Sequence, residues 1–371
     1  MKILLTGAHF TPAIAVAQEI KKLKPDVNLV YVGRNTTLEG DKTRSRESVE
    51  MPKIGVKFIP LIAGRLQRRF TIYTIPSLLK IPIGLLQSIF VLLTEKPDVI
   101  LSFGGYISVP IVVAGWLFSI PIIIHEQTMV SGLANKISSY FASKIAISFL
   151  RKNKDQRVIL TGNPIRKDIL FPTGIIPAEY NQIFQYAKTT NMPVILVLGG
   201  NQGSHTINQV LNSSLDKLLK YACIIHQTGE SKFHDFEELK KLKSDKYLVR
   251  KWIGEEIGEV LSKSDLVISR AGANTLSELA YLGIPALVIP FEPLYHDEQN
   301  KNAKYFENLG LVKILSQSKL TEFSLIESVE SMLRNLAALK KDAENAKSAV
   351  LSQAAKTLAL ETLLLARQRD D

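Results

Sequence analysis

The sequence of 371 residues lacks most of the motifs by which proteins hold metal ions and nucleotides. It contains no Walker loop, no G-x-G-x-x-G, no H-E-x-x-H, no C-x-x-C and no D-x-D pair of carboxylates. The single cysteine, Cys223, excludes an internal disulfide framework and is typical of a reducing compartment. We therefore expect no metal and no cofactor. Without them, any negatively charged ligand group would have to be stabilised by arginine, by helix N-termini, or by both.

Long apolar runs are also missing. Two apolar stretches, 81–93 and 111–124, are shorter than the roughly 18 residues that indicate a membrane-spanning helix. The N-terminus has too short an apolar run for a signal peptide and no cleavage signature. The sequence thus predicts a soluble, cytoplasmic protein. Its length predicts two domains, because single cores stop growing at about 250–300 residues.

The net charge of +11 lies entirely in the first part of the chain. Residues 1–160 contain 21 Lys and Arg against 10 Asp and Glu, whereas the other 211 residues contain 25 of each. A basic field attracts nucleic acid, anionic lipid or phosphorylated substrates, although it can also merely solvate a surface. Nucleic-acid binding has no support from an interleaved aromatic platform or a recognition motif.

Alternating strand and helix patterns run through both halves. Buried parallel strands are predicted from ILL, NLVYVG, PDVILS, IPIIIH and KIAIS in the first half, and from PVILVL, ACIIHQ, YLVRKWI, SDLVIS and IPALVIPF in the second. Helices are predicted over 13–22, after Pro110, over 206–219, and after the loop RAGANT. We expect two doubly wound α/β domains, residues 1–163 and 164–336, and a helical segment 337–371 that packs across them.

Four small-residue turns follow predicted strands: TGAH, FGGYIS, LGGNQGSHTIN and SRAGANTLSE. Ligands of open α/β sheets bind at the carboxyl ends of the strands. The start of the helix near Thr275 suits a diphosphate, and Glu278 lies one turn further on, within reach of ribose hydroxyls. The alternative is an ordinary capped helix, since small-residue loops before helices are common.

Two side chains are candidate general bases. His9 lies in the first turn, where few other side chains can accept a proton, and Glu126 follows a buried strand in the motif HEQ. A histidine at a strand end, such as His125 or His226, more often has a structural role than a catalytic one.

The turns taken together resemble the MurG family of bacterial transferases. The resemblance is carried, in order, by GGYISVP, IPIIIHEQ, NK, GNPIR, GGNQGS, HQTG, SRAGANTLSE, GIPALVIPF and EQNKNA. It implies a GT-B fold, two Rossmann-like domains with the active site in the cleft between them. It also implies inverting, metal-independent transfer of N-acetylglucosamine from UDP-GlcNAc to the C4 hydroxyl of lipid I, which forms lipid II for peptidoglycan. The implied partners are UDP-GlcNAc, lipid I, the anionic cytoplasmic face of the plasma membrane and other cell-wall enzymes.

The resemblance also assigns residues position by position. His9 corresponds to the candidate base, Ile253 to a uracil contact, and Arg166 to a nucleotide-sugar contact. Asn201 and the turn Thr6, Gly7 and Ala8 would lie near the diphosphate and sugar. The phosphate and ribose segment comprises Ala273, Asn274, Thr275, Leu276, Ser277 and Glu278, and the donor sugar would be contacted by Gln299 and Thr128.

Two departures from the family pattern bear on the acceptor and the donor sugar. The family usually begins G-G-T-G-G-H, whereas this chain reads LLTGAH, so that Ala8 adds a Cβ where the backbone was free to take a positive φ. Thr128 replaces the amide of H-E-Q-N. The altered turn leaves open a related transferase with another lipid or polysaccharide acceptor, and a weakly active scaffold docked at the membrane.

The stretch 65–93 combines basic and apolar residues in the region where the family meets the membrane. Arg65, Arg68, Arg69 and Lys80 accompany many apolar side chains. Basic flanks around an apolar face are what attachment to an anionic lipid surface requires. The alternative is a core helix. We expect the part 65–80 to face the membrane and the later part to be buried.

Overall fold

The computed structural model describes residues 1–36, 44–64, 74–150, 155–200, 203–229, 233–292 and 297–368, except for the side chains of 74–79. These residues form two compact units. Unit 1 comprises residues 1–166 together with the chain from Leu351 onward, and unit 2 comprises Lys167–Val350. The segment 337–371, expected to be helical and to pack across the two domains, is divided between the two units after Val350.

Unit 1 is built on a parallel sheet whose order, β3-β2-β1-β4-β5-β6-β7, reverses direction between β1 and β4. Its strands are β1 (Lys2–Thr6), β2 (Asn28–Gly33), β3 (Lys57–Pro60), β4 (Val99–Ser102), β5 (Ile122–Glu126), β6 (Lys144–Ile147) and β7 (Val158–Leu160). Its helices, numbered in chain order, are α1 (Phe10–Leu23), α2 (Arg46–Lys53), α3 (Thr74–Glu95), α4 (Ser108–Leu117), α5 (Leu133–Ser138) and α15 (Ala354–Arg367).

Both faces of the unit 1 sheet are covered, which explains its continuous apolar strands. In β1, Ile3 and Leu5 belong to one core cluster, whereas Leu4 belongs to the cluster on the opposite face. Successive side chains of a strand point to opposite faces, so both faces need apolar residues. Helix α1 buries Val16 and Ile20, four positions apart, against the first of these faces.

Unit 2 repeats this architecture with the sheet order β10-β9-β8-β11-β12-β13. Its strands are β8 (Val194–Leu198), β9 (Cys223–Gln227), β10 (Tyr247–Arg250), β11 (Leu266–Ser269), β12 (Ala286–Val288) and β13 (Val312–Ile314). Its helices are α6 (Lys167–Leu170), α7 (Ala178–Thr190), α8 (His205–Leu218), α9 (Asp235–Leu239), α10 (Ile257–Ser262), α11 (Ala273–Leu282), α12 (Glu298–Asn308), α13 (Glu322–Arg334) and α14 (Leu336–Asn345), with 3-10 turns at Gln317–Lys319 and Ala346–Ala349.

The prediction of two Rossmann-like α/β domains is confirmed. The sequence analysis did not predict β3, β7 and β13, which have three or four residues each and lie at the sheet edges. All three strands pair on one side only. β3 and β13 each contain a lysine and have no continuous apolar run, whereas β7, with the sequence VIL, has such a run of only three residues and was missed.

Helix α3 corrects the expectation that the later part of 65–93 is buried. Residues 65–73 lie outside the described part of the chain. Further along α3, one face buries Ser88, Val91 and Leu92, but the opposite face exposes four apolar side chains, Ile83, Leu86, Phe90 and Leu93. These four residues recur at intervals of three or four and form a continuous stripe, which we call the α3 apolar stripe.

The apolar stretch Leu336–Arg367 is long enough, by length and composition alone, to cross a membrane. In the structure it is not one straight helix, because α14 ends at Asn345 and α15 begins at Ala354. Helix α15 buries Leu358 and Ala359 in the same core cluster as α1. Within the folded chain, α15 therefore serves as a core helix of unit 1.

Replacing Leu358 by Ala is expected to lower the free energy of unfolding of unit 1 by about 2–5 kcal/mol, because it leaves a cavity beneath α1. Leu360, which is 41% exposed on the same helix, is the matched control, and its Ala variant is expected to change that free energy by less than about 0.5 kcal/mol. Urea denaturation followed by the fluorescence of Trp116, in a Trp252→Phe background, measures both. Equal effects of the two substitutions would contradict the placement of α15 in the core.

Candidate functional site

Each sheet offers a ligand position at the carboxyl ends of two strands where its order reverses. In unit 1 these strands are β1 and β4, which lead into the turns TGAH and FGGY. In unit 2 they are β8 and β11, which lead into GGNQGS and RAGAN. The four small-residue turns singled out in the sequence thus fall in pairs at the two reversal points.

The two unit 1 turns lie in direct backbone contact. The N–H of Phe103 donates to the carbonyl of Thr6 at 2.7 Å, and the N–H of Ala8 donates to the carbonyl of Gly104 at 2.9 Å. Gly7 has a φ of +143°, and a Cβ on it would lie 2.9 Å from the Gly104 oxygen. Only glycine fits at this position, because both the conformation and the space exclude a side chain.

Ala8 is accommodated without strain. It has no positive φ. The residue that faces it is Gly105, where a Cβ would lie 2.6 Å from the Cβ of Ala8. The extra carbon of Ala8 therefore occupies space left by a glycine on the adjacent turn, and the left-handed conformation is confined to Gly7 within TGAH.

His9 is the residue immediately before α1, and its side chain makes no capping hydrogen bond to that helix. Desolvation of the ring lowers the pKa of His9 to about 4, and the positive charge of Arg34 contributes in the same direction. Arg34 pairs with the buried Glu47 through Nε and Oε1 at 3.1 Å. At neutral pH the imidazole of His9 is therefore uncharged and retains a lone pair that can accept a proton.

Glu126 is buried and has both carboxylate oxygens engaged. One oxygen accepts from the backbone N–H and the hydroxyl of Thr128 at 3.2 and 2.8 Å, and the other accepts from Nδ2 of Asn135 at 3.0 Å. The Thr128 hydroxyl also lies 2.7 Å from the carbonyl of Val130. Glu126 and Thr128 therefore hold the turn after β5. Asn135 was quoted in the sequence motif NK but not assigned a role.

Several buried polar atoms around this turn have no protein partner among the described residues. They include the hydroxyl of Thr6, Nδ1 of His125 and Oδ1 of Asn135. Native proteins satisfy nearly all such atoms, so these are positions for hydrogen bonds from a ligand or from water. Burial lowers the pKa of His125 to about 4, and a positive charge on His9 would act in the same direction.

In unit 2, the start of α11 is open to an anion. Gly272 is the N-cap, its side-chain position faces open space, and no side chain caps the helix. Ala273, Asn274 and Thr275 therefore form a first turn whose backbone N–H groups point away from the helix. Ser277 donates its hydroxyl to the Ala273 carbonyl at 2.9 Å. Leu276 and Glu278 are buried.

Arg270 joins the two unit 2 turns and was not assigned a role from the sequence. One terminal nitrogen donates to the Ser204 hydroxyl at 2.8 Å, the other donates to the Ile289 carbonyl at 3.0 Å, and the ring of Phe291 lies 5.3 Å away. Burial lowers the pKa of Arg270 to about 10, so it remains charged at neutral pH. A lone arginine directly after the apolar strand SDLVIS was the available signal.

The remaining assigned residues are placed as follows. Gln299 accepts the Phe291 N–H through Oε1 at 2.8 Å, which leaves its amide nitrogen as the donating end. Ile253 is buried after β10, and its N–H donates to Oε1 of Gln227 at 2.9 Å. Arg166 is partly buried and is the last residue of the N-terminal stretch of unit 1. Asn201 lies outside the described residues.

No group of three or more His, Cys, Asp or Glu side chains suited to a metal ion occurs in the described part of the chain. Arg270 and the start of α11 are cationic and dipolar groups at the β8 and β11 turns that can stabilise negative charge.

Two domain models of one protein family match this chain. Residues 6–147 match the glycosyltransferase family 28 N-terminal domain, and residues 194–358 match the family 28 C-terminal domain. The chain is 32% identical over 342 residues to the UDP-N-acetylglucosamine--N-acetylmuramyl-(pentapeptide) pyrophosphoryl-undecaprenol N-acetylglucosamine transferase of Clostridium botulinum, covering 90% of this chain and 91% of that protein. It is 34% identical over 339 residues to the transferase of the same name from Clostridium kluyveri, with 89% and 91% covered.

A solved structure supports the fold over the same length. The crystal structure of Acinetobacter baumannii MurG aligns with a TM-score of 0.70 at 24% identity, covering 98% of this chain and 99% of that one. Together with the family matches, this likeness confirms the resemblance inferred from the ordered motifs.

The ring of His9 is expected to titrate in NMR with a midpoint near pH 4. Because this value lies below the ordinary 6.5, the unfolded chain binds the proton first, and His9 reduces stability as the pH falls from about 6.5 towards 4. Arg34→Gln is expected to raise the midpoint only in part, since desolvation is the larger cause. Lys263→Gln in unit 2 is the control. An unchanged midpoint in Arg34→Gln would contradict the role of that charge.

Proposed function

Because the chain belongs to glycosyltransferase family 28, we propose that it transfers N-acetylglucosamine from UDP-GlcNAc to the C4 hydroxyl of the muramoyl group of lipid I, forming lipid II for peptidoglycan synthesis. The observation that carries the proposal is the anion site of unit 2, formed by the open start of α11 and by Arg270 within the family's C-terminal domain. A diphosphate is the group that such a site suits.

The donor occupies unit 2 in this proposal. The first turn of α11, Ala273–Thr275, supplies backbone N–H groups to the diphosphate, and the macrodipole of the helix favours its negative charge. Glu278 accepts from the ribose hydroxyls, Ile253 borders the uracil, and the amide nitrogen of Gln299 donates to the sugar. Asn201 and Arg166 complete the donor contacts by their family positions.

The reaction is an inverting displacement. The C4 hydroxyl oxygen of the acceptor attacks the anomeric carbon of GlcNAc, the bond from that carbon to the diphosphate oxygen breaks, and UDP departs. The attacking hydroxyl becomes strongly acidic as the new bond forms, so the neutral ring of His9 accepts its proton despite a pKa of about 4. Arg270, Arg166 and the α11 N-terminus stabilise the charge on UDP.

Glu126 is the alternative base, but its contacts favour a positioning role. Its two oxygens already hold Thr128 and Asn135, and the residue is buried. We therefore assign the proton to His9, and we assign to Glu126 the orientation of the turn beside the unpartnered polar atoms of Thr6 and His125. Those atoms are suited to the hydroxyl and amide groups of a glycopeptide acceptor.

The transfer of labelled GlcNAc from UDP-GlcNAc to a soluble lipid I analogue tests donor, acceptor and base together. His9→Ala is expected to lower kcat by about 10²–10⁴-fold, the range for loss of a general base, and to leave UDP binding measured by calorimetry unchanged. Glu126→Gln, measured beside it, tests the alternative base. A larger loss of kcat in Glu126→Gln than in His9→Ala would reverse the assignment.

The same assay separates the alternatives. Binding of UDP-GlcNAc by the unmodified protein without transfer would indicate a related transferase with another lipid or polysaccharide acceptor. No binding of UDP-GlcNAc at all would favour a scaffold that docks at the membrane without turnover.

For the location we propose peripheral attachment to the cytoplasmic face of the plasma membrane through unit 1. Support comes from the α3 apolar stripe, in which Leu86 is 68% and Phe90 is 69% exposed, and from the exposed Trp116, Leu117 and Phe118 at the end of the neighbouring helix α4. Contiguous apolar side chains of this kind mark interaction surfaces. The surplus of positive charge in residues 1–160 suits an anionic lipid surface.

Replacing Leu86 and Phe90 together by Glu is expected to weaken binding to vesicles containing phosphatidylglycerol by more than about tenfold, because two large apolar side chains no longer enter the lipid. Sedimentation with vesicles measures the effect. Phe323→Glu, at an exposed aromatic residue of unit 2, is the control. Equal binding by the double variant and the unmodified protein would rule out the stripe as the attachment surface.

A further inference from the structure

Unit 2 contains a chain of five hydrogen-bonded side chains that the proposed reaction does not use. It runs from the surface to the core and consists of His205, Asp235, Asn208, His226 and Tyr247. Nδ1 of His205 lies 2.6 Å from Oδ1 of Asp235, whose Oδ2 accepts from Nδ2 of Asn208 at 2.8 Å. Oδ1 of Asn208 lies 3.0 Å from Nε2 of His226, and Nδ1 of His226 lies 3.0 Å from the Tyr247 hydroxyl.

The direction of every hydrogen bond in this chain follows from its neighbours. The amide nitrogen of Asn208 donates to Asp235 and to the Thr228 carbonyl, so its oxygen accepts from Nε2–H of His226. Burial lowers the pKa of His226 to about 3, so the ring is neutral and its Nδ1 accepts from the Tyr247 hydroxyl. At the other end, Asp235 accepts the Nδ1–H of His205. The carboxylate of Asp235 thus accepts hydrogen bonds from both of its neighbours in this series of side chains, His205 and Asn208.

This series of hydrogen-bonded side chains adjoins the end of the GGNQGS turn, where α8 begins. His205 is the first residue of that helix, directly after the N-cap Ser204, which accepts from Arg270. Gly203 lies so close to the strand-end turn of β9 that a Cβ on it would be 1.9 Å from the Thr228 oxygen. Asn208 holds the same oxygen from the next turn of the helix. The position of Gly203, at the end of this turn, is therefore set by contacts to the β9 side.

The contact between His205 and Asp235 goes beyond what α8 needs in order to fold. The helix is already capped by Ser204 and buries Ile207, Leu211 and Leu215 in the core of unit 2. His205 is partly exposed, yet its ring stacks on Phe233 with 3.9 Å between the ring centroids. Its orientation is thus fixed from two directions, by a carboxylate and by an aromatic ring.

We propose that Asp235 and His205 are positioning residues for the donor diphosphate. Their hydrogen bond holds the first turn of α8, together with Gly203 and Ser204 directly before it, in the orientation in which backbone N–H groups meet the phosphate oxygens. The donors from His205 and Asn208 also satisfy the carboxylate of Asp235, which reduces its repulsion of a bound anion. This inference rests on the proposed function, since it assumes that the ligand of unit 2 is a UDP-sugar.

Calorimetric binding of UDP and steady-state transfer, measured with the full chain, test the proposal. Asp235→Asn, which places an amide donor opposite one of the two donors, and His205→Ala are expected to raise the Kd for UDP and the KM for UDP-GlcNAc by about tenfold, with a smaller change in kcat. His205→Asn keeps an N–H group near the position of Nδ1 and is expected to restore most of the affinity.

Asp265→Asn is the matched control. Its carboxylate is also engaged in two hydrogen bonds, from the backbone N–H of Val194 and from the ammonium of Lys340, but it lies at the amino end of β8, opposite the proposed ligand. This variant is expected to lower the melting temperature and to leave the Kd for UDP unchanged.

Three results would overturn the inference. The first is an unchanged Kd for UDP in Asp235→Asn and His205→Ala together with a lowered melting temperature, as for the Asp265 control. The second is His205→Asn binding as weakly as His205→Ala, which would show that the bond to Asp235 is not what matters. If Asp235→Asn does not fold, the two His205 variants decide alone. The third, failure of the unmodified protein to bind UDP, is distinguishable because it overturns the proposed function as well.

Discussion

The close approach of two backbone turns at the reversal point of each sheet is the constraint on which the rest of the candidate site depends. In unit 1 the turns after β1 and β4 are joined by backbone hydrogen bonds, and Gly7 leaves no room for a side chain between them. In unit 2 the turns after β8 and β11 are joined through Arg270 and Ser204. Parallel strands alone would bring these turns to the same edge; the glycines and the arginine fix their mutual orientation.

The candidate groups of the two units differ in charge: His9 of unit 1 is neutral, whereas Arg270 of unit 2 is positively charged. In unit 1, desolvation and Arg34 keep the ring of His9 uncharged, which preserves its capacity to accept a proton. In unit 2, the buried guanidinium of Arg270 remains charged at neutral pH: desolvation lowers its pKa to about 10, the negative charge of Glu292 raises it, and the Ile289 carbonyl and the Ser204 hydroxyl accept its hydrogen bonds. A neutral base and a positive anion site are the two components that an inverting displacement of a diphosphate needs.

Much of this arrangement could be predicted from the sequence, for identifiable reasons. The central strands are continuous apolar runs buried on both faces, so their pattern is strong, whereas β13 has only three residues at an edge and gave no signal. The turns TGAH and SRAGANTLSE could be located because glycine and small residues directly follow apolar strands. The position of Arg270 directly after an apolar strand marked it as a candidate, but its partner and that of Asn135 could not be predicted, since these contacts join residues 66 and 9 positions apart and exist only in the fold.

The packing of α15 on α1 has a consequence for biosynthesis. Strand β1 and helix α1 belong to a core that also contains Leu358 of α15, and the whole of unit 2 lies between them in the sequence. Unit 2 is contiguous in sequence and can acquire its full set of core residues while the chain is still growing. Unit 1 keeps an uncovered apolar face until α15 has been synthesised after unit 2. During synthesis unit 1 therefore depends on chaperones for longer than unit 2 does, and a ribosome that stalls between the two parts of unit 1 leaves an exposed surface of the kind that quality-control proteases recognise.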